Sequence, residues 1–438
     1  MTTRLAFVAL LVFCATIVPA QDEIEIDVTA AAPAPMLAIA PPHLESAGLE
    51  TLGKQFQQIL DYDLKFNKAV RVRDNTAPIQ QQAEKDRAQG RVDYAAWADM
   101  DIQYVVTSAI RPKSEGLIEI DVLVYDIRDR RRLMGARMSP AQAQFREAAH
   151  KFSDRIVYEC ARGDGIAQTS LLFVHHNPGS HTKDIFIVDY DGWLESVRPL
   201  TRYGTITQFP SWSPTGKEFA YCSFRSGWLD AYIQDLSTGE SSFLAKAPGN
   251  NLTPSWLPKK RNWLAISLSY PGNPEIFLLR KDRKQPQRLT RHPAIDTSPV
   301  VSPDETQIVF TSDRSRVATL YLMNVDGGNV RRLVSDRRLS CDTAQWSPDP
   351  IDGTYRIAFR GYRLGQVRGD IYTVAADGSD LRNLTGGPGD NSNPTWSPDG
   401  EYIAFSTARR SGKSELWVME RDGDSPRRVR SEERRVGK

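Results

Sequence analysis

Cysteine is scarce. Four cysteines in 438 residues, with no Cys-x-x-Cys spacing, imply neither a disulfide framework nor a zinc-type site. Charge of one sign is missing too: 56 Lys and Arg against 54 Asp and Glu leave a net +2, which argues against nucleic acid as the main partner. No apolar run beyond the N-terminus is long enough to span a bilayer. Nucleophile motifs are absent as well. There is no Gly-x-Ser-x-Gly elbow, and Gly412-Lys413-Ser414 fails as the end of a phosphate loop because Thr407 stands where its first glycine belongs.

The N-terminus reads as a secretory signal over residues 1–20. Arg4 supplies the charge, residues 5–18 the apolar stretch, and Val18-Pro19-Ala20 the small-residue cleavage site. Val12 and Phe13 are too bulky to make Cys14 a lipid-anchor cysteine. Cleavage leaves Cys160, Cys222 and Cys341, an odd number; they are expected to be small buried hydrophobes, with a single pairing left open.

Glycine and proline are plentiful, 29 and 27, and they fall in a repeat. Trp212, Trp256, Val301, Trp346 and Trp396 occupy one position of a Pro-x-Trp-Ser-Pro-Asp-Gly-like pattern at intervals of 44, 45, 45 and 50 residues. That is the period of a four-stranded propeller blade. Each copy is followed by a second strand that alternates like a half-buried one, such as Gln307-Ile-Val-Phe310, then by a third strand opened by an acid or Thr (Asp184, Asp230, Glu275, Thr319, Asp370, Glu415). An Asp-Gly turn typically ends the third strand, as at Asp326-Gly327. Six third strands imply six blades.

The first blade starts at Leu171 with a second strand and has no Trp-type strand before it. Closure would need that strand about 45 residues after Trp396, near position 441, whereas the sequence stops at Lys438. Residues 431–438 match no repeat, so the expectation is a propeller over 168–430 lacking its closing strand, then a truncated or foreign tail.

Residues 21–162 read as a small α/β domain. Leu49, Leu52, Phe56, Ile59 and Leu60 recur at helical spacing, strands fall near Met36, Tyr104 and Ile118, and a second helix runs from about Ala141 to Tyr158. His175, His176 and His181 lie in a turn-rich loop without a carboxylate motif, so no metal is expected there. The acids that open the third strands are read as strand-capping groups rather than a channel ring.

A signal, an α/β domain of about 140 residues and six such blades, in that order, resemble the TolB family, periplasmic components of the Tol-Pal system of Gram-negative bacteria. The resemblance implies an α/β N-terminal domain followed by an all-β six-bladed propeller of TolB/WD40-like repeats. It also implies a monomeric, non-enzymatic scaffold without cofactor. Such a scaffold would link TolA to the lipoprotein Pal, and through them other outer-membrane proteins, in support of envelope integrity, cell division and protein import. By the same resemblance the mature N-terminus, Asp22, Glu23, Ile24, Glu25, Ile26 and Asp27, would contact TolA, its alternation suiting strand addition.

Pal would sit on loops entering the inner strands at the propeller mouth. Counting back from each Trp position gives Thr207 and Gln208; Asn250, Asn251 and Thr253; Asp296 and Thr297; Asp342 and Thr343; Asn391 and Ser392. Val301 and the missing strand depart from the family's pattern. The alternatives are a secreted propeller enzyme, a hydrolase or lyase, and a sugar-binding propeller, each with a site in the channel.

Overall fold

A computed structural model describes residues 33–177, 179–387, 389–409 and 414–429; residues 1–20, the 22–27 segment and 431–438 lie outside the described residues. The N-terminal domain is one sheet of β1 (Met36–Ile39), β2 (His43–Leu44), β3 (Arg71–Val72), β4 (Tyr104–Pro112), β5 (Ile118–Asp126) and β6 (Arg131–Met138). Its order is β3-β1-β4-β5-β6, with β1 parallel to β3 and β4 and β2 paired to β4. Helices α1 (Glu50–Phe66) and α4 (Phe145–Ala161) cover one face, where Phe56 meets Phe145 and Phe152 edge-on at 6.0 Å. The helical spacing read over residues 49–60 is the buried face of α1. Two further helices, α2 (Ala77–Gln89) and α3 (Tyr94–Asp99), cover the other face and bury Trp97, whose indole donates to Asp86 Oδ2 at 2.6 Å.

After α4 the chain forms six blades. The first has three strands among the described residues, β7 (Ser170–His176), β8 (Lys183–Asp189) and β9 (Arg198–Pro199); the other five have four each in simple up-and-down order. The inner strands of those five are Thr207–Trp212, Asn251–Trp256, Asp296–Val301, Leu339–Trp346 and Asn391–Trp396.

Each element of the repeat has a backbone task. The Ser after Trp closes the turn into the second strand: Ser213, Ser302, Ser347 and Ser397 Oγ accept the N–H of Glu218, Gln307, Arg356 and Tyr402 at 2.9–3.2 Å. In the last two blades the Trp joins its blade to the one before: Trp346 Nε1 donates to Val300 O at 3.0 Å and Trp396 Nε1 to Gln345 O at 3.3 Å, both in the preceding inner strand. The glycine of Asp-Gly has positive φ and no room for a side chain, since a Cβ on Gly327, Gly378 or Gly423 would stand 2.7–2.9 Å from the carbonyl of Leu289, Leu333 or Leu384 in the blade before it.

One expectation is corrected. The second strands are not half-buried: Phe219, Ala220 and Tyr221, like Ile308, Val309 and Phe310, are all fully buried. Blades pack on both faces of these strands, so the sequence alternates large with small rather than apolar with polar.

The N-terminal domain docks on the first and last blades. Phe66 at the end of α1 packs against Tyr190 and Tyr402, with ring centroids 5.2 and 4.4 Å away, and its carbonyl accepts the Tyr402 hydroxyl at 2.5 Å. Buried Asp63 of α1 accepts from Tyr190 Oη at 2.6 Å and lies 2.8 Å from His150 Nδ1 of α4. Lys68 pairs with Glu420 and Arg146 with Asp191 across the same junction.

Candidate partner-binding rim

The rim is the end of each blade where the inner strand begins and the second strand turns into the third. Five residues before the Trp position stand Thr207, Asn251, Asp296, Cys341 and Asn391, every one fully buried. Thr207 Oγ1 meets Ser223 Oγ at 3.0 Å; Asn251 Nδ2 donates to Asp230 Oδ1 and Ala247 O, both at 3.0 Å; Asp296 takes both its bonds from Arg314. These side chains hold the rim in shape and do not present it. Asn250 is exposed, while Gln208, Thr253, Thr297, Asp342, Thr343 and Ser392 are half-buried at the surface. Burial pushes the Asp342 carboxyl up, against the opposing pull of Arg360.

The acids that open the third strands lie at the same end and bond within their own blades, Asp230 and Asp370 also accepting from Asn251 and Asn391 of the next inner strand. Asp184, Glu275 and Asp370 accept the hydroxyls of Thr201, Thr290 and Thr385 at 3.1, 2.5 and 2.8 Å, and those threonines in turn accept the N–H of Ile185, Ile276 and Ile371 at 2.9 Å. Glu275, with no exposed surface, also takes Arg288 Nη2 and His292 N at 2.8 Å. Each acid thus ties the tail of the fourth strand to the head of the third.

A feature outside the sequence reading lies three residues before Trp. Phe209, Thr253, Ser298, Thr343 and Asn393 all have φ between 48° and 58°, and the inner-strand pairing slips there in every one of these blades. This is a β-bulge repeated around the ring, carried by residues other than glycine. Its sequence signal is the following Pro at 210, 254, 299 and 394, which has no N–H for the ladder. Also unforeseen are arginines two residues past the second strand: Arg225, Arg314 and Arg409 lie over the third-strand rings of Tyr232, Tyr321 and Trp417 at 3.7, 4.9 and 4.9 Å.

His175 and His176 are part of β7, not of a loop, because their backbone pairs with Asp184 and Lys183; no group of three or more metal-ligating side chains occurs among the described residues. Cys160, Cys222 and Cys341 are free and buried, and burial pushes each thiol up to about 12. Among the described residues no helix is long and apolar enough to cross a membrane.

The family model for the TolB amino-terminal domain matches residues 22–133, and that for the TolB beta propeller domain matches 160–355, well over half of the chain between them. A protein TolB homolog of Chlorobium chlorochromatii is 32% identical over 201 residues, 46% of this chain and 44% of that protein, so the chain spans less than half of that relative's length in the match. The Tol-Pal system protein TolB of Bordetella pertussis is 28% identical over 71% of this chain and 68% of its own. The crystal structure of TolB from Acinetobacter baumannii superposes with a TM-score of 0.71 at 26% identity, over 90% of this chain and 93% of that one.

Proposed function

The chain belongs to the TolB family, and from that premise we propose that it is a non-catalytic, protein-binding scaffold of the Tol-Pal system in the periplasm of a Gram-negative bacterium. The propeller rim engages the peptidoglycan-associated lipoprotein Pal, and the 22–27 segment engages TolA. Linking the two supports outer-membrane integrity and constriction at division.

The observation that carries the reading is the rim itself. Around it, buried polar side chains fix the loops while Gln208, Asn250, Thr297 and Ser392 leave hydrogen-bonding groups at the surface, as a rigid platform for a folded partner requires. The 22–27 segment, with alternating acids and isoleucines, is suited to strand addition.

The test is capture of purified Pal by the chain from Gln21 onward, and by the same chain carrying Asn250→Arg, Thr297→Arg and Ser392→Arg. Capture by the first and not the second, with both folded, is expected. Equal capture by both would move the site off the rim, and capture by neither would overturn the assignment.

A further inference from the structure

The rim is not equivalent all round. In the fourth blade Asp296 faces Ser312 across the first two strands, and Arg314, two residues further on, places Nη2 on both Asp296 oxygens at 2.9 and 2.7 Å. In the sixth blade the register is the same, Asn391 facing Thr407 with Arg409 two residues on, but the carboxylate has become an amide. Arg409 lies over Phe405 and Trp417 at 5.6 and 4.9 Å and has no ion pair among the described residues.

Nearby carboxylates do not replace the missing one. Asp370 Oδ1 accepts from Thr385 Oγ1 and Asn391 Nδ2 at 2.8 and 3.2 Å, and its Oδ2 from Asn383 Nδ2 at 3.2 Å. Asp390 Oδ1 takes Arg360 Nη2 and Gly369 N at 3.0 and 2.9 Å. Four buried polar atoms in this corner have no partner among the described residues: Arg409 Nε, Asn391 Oδ1, Thr407 Oγ1 and Arg360 Nε. Asn391 and Thr407 have no exposed surface at all, so ordinary solvent contact does not satisfy them.

A concavity of about 370 Å³ opens beside these groups, walled by the 366–370 loop, Gly387 and Gly389. Two glycines of that wall pack their backbone against these groups. A Cβ on Gly389 would stand 2.7 Å from Arg409 Cγ and 2.9 Å from Thr407 Oγ1, and one on Gly369 would stand 2.4 Å from Arg360 Nε. Arg368 adds a second guanidinium to the wall. Burial draws the Arg409 guanidinium below its ordinary value, against the opposing pull of Asp370.

We propose that this corner of the rim is a carboxylate site that receives an acidic side chain of a protein partner seated on the propeller mouth. The partner's carboxylate gives Arg409 the counter-charge that Asp296 gives Arg314. The proposal rests on the scaffold reading only in making the occupant a protein.

The probes are the peptide acetyl-Ala-Asp-Ala-amide, its Asn counterpart and inorganic phosphate, with the Arg409 Nε–Hε NMR resonance of the full chain as the readout. Saturable movement of that resonance by the Asp peptide is expected, with the Asn peptide weaker by about tenfold or more, the loss of a charge-assisted pair. Asn391→Asp supplies an internal carboxylate and should abolish peptide binding; Arg409→Gln should abolish it too, read on backbone amide resonances so that loss of fold is seen separately.

Equal binding of the Asp and Asn peptides, unchanged affinity in Asn391→Asp, or displacement of the peptide by equimolar phosphate would each overturn the proposal. The scaffold reading is tested apart from it. Pal capture with no peptide response sinks the carboxylate site alone, whereas a peptide response without Pal capture sinks the scaffold reading alone.

Discussion

Tyr190, directly after β8 of the first blade, donates its hydroxyl to Asp63 of α1 across 2.6 Å, and both are buried. Burial and the adjoining carboxylate push the phenol well up, so it remains a donor throughout the accessible pH range. On its other oxygen Asp63 meets His150 Nδ1 at 2.8 Å, which makes one buried carboxylate the pin between two helices of the N-terminal domain and the propeller.

Tyr190→Phe removes one donor from that buried carboxylate and keeps the ring contacts with Phe66. Destabilisation by about 1–3 kcal/mol is expected, the cost of an unsatisfied buried acceptor. Urea unfolding followed separately by signals of the two domains should show their transitions moving apart. A variant with the wild-type midpoint and a single coincident transition would mean that the hydrogen bond does not couple them.

Trp346→Phe tests the seam between blades four and five. The indole N–H on Val300 O disappears and that carbonyl loses its partner, while most of the apolar contact remains, so a loss of about 1–2 kcal/mol is expected. Trp256, whose indole N–H has no partner among the described residues, gives the control: Trp256→Phe should cost less than Trp346→Phe in the same urea titration. Equal losses would assign the Trp of the repeat to volume alone.

One acid-sensitive cluster lies on the sheet of the N-terminal domain. Arg111 donates to Glu119 at 2.6 Å, Asp121 at 2.7 Å and Glu45 at 3.1 Å. Its hydrogen bond holds the Glu119 carboxyl below the usual range; Asp121, which burial alone would raise, is brought below it by Arg137 and Arg111. Groups lowered in the folded state contribute stability above their unfolded values, about 4, and lose it as pH falls through the folded ones. The urea midpoint of the N-terminal domain should therefore drop between pH 5 and 3, and Arg111→Met should lower it at pH 7 while flattening that drop. The same slope in both proteins would place the acid-labile groups elsewhere.

The legibility of this chain follows from how its residues earn their places. Trp, Ser, Pro and Asp-Gly recur because each serves the backbone at one point of the blade, as the Ser397 cap and the Gly423 approach to Leu384 illustrate, and so the six blades can be read directly. Helix α2 hides because half of its buried residues, Gln82 and Asp86 beside Ile79 and Ala83, are polar; Pro78 and the left-handed Gly90 are its remaining signals. Rim residues are harder still. Asn391 and Ser392 are both short and polar, yet one is wholly buried and the other is not, and only strand register separates them. The exceptional position of Arg409 emerges when two blades are laid on the same register, which neither composition nor spacing supplies.

The left-handed residues of the inner strands give the last prediction. Thr343 holds φ at 49°, a conformation that costs a β-branched residue about 1–2 kcal/mol, and glycine adopts it freely. Thr343→Gly is therefore expected to be neutral or to stabilise by up to about 1 kcal/mol, where glycine inside a strand ordinarily costs about that much. Thr343→Val keeps the branching and loses the hydroxyl bond to Asp342 at 3.2 Å, so it should destabilise. If Thr343→Gly weakens Pal capture while raising the melting temperature, the strain serves to hold a rim side chain for the partner. If it raises the melting temperature and leaves capture intact, the bulge exists to turn the inner strand, and residues on either side of it carry the contact.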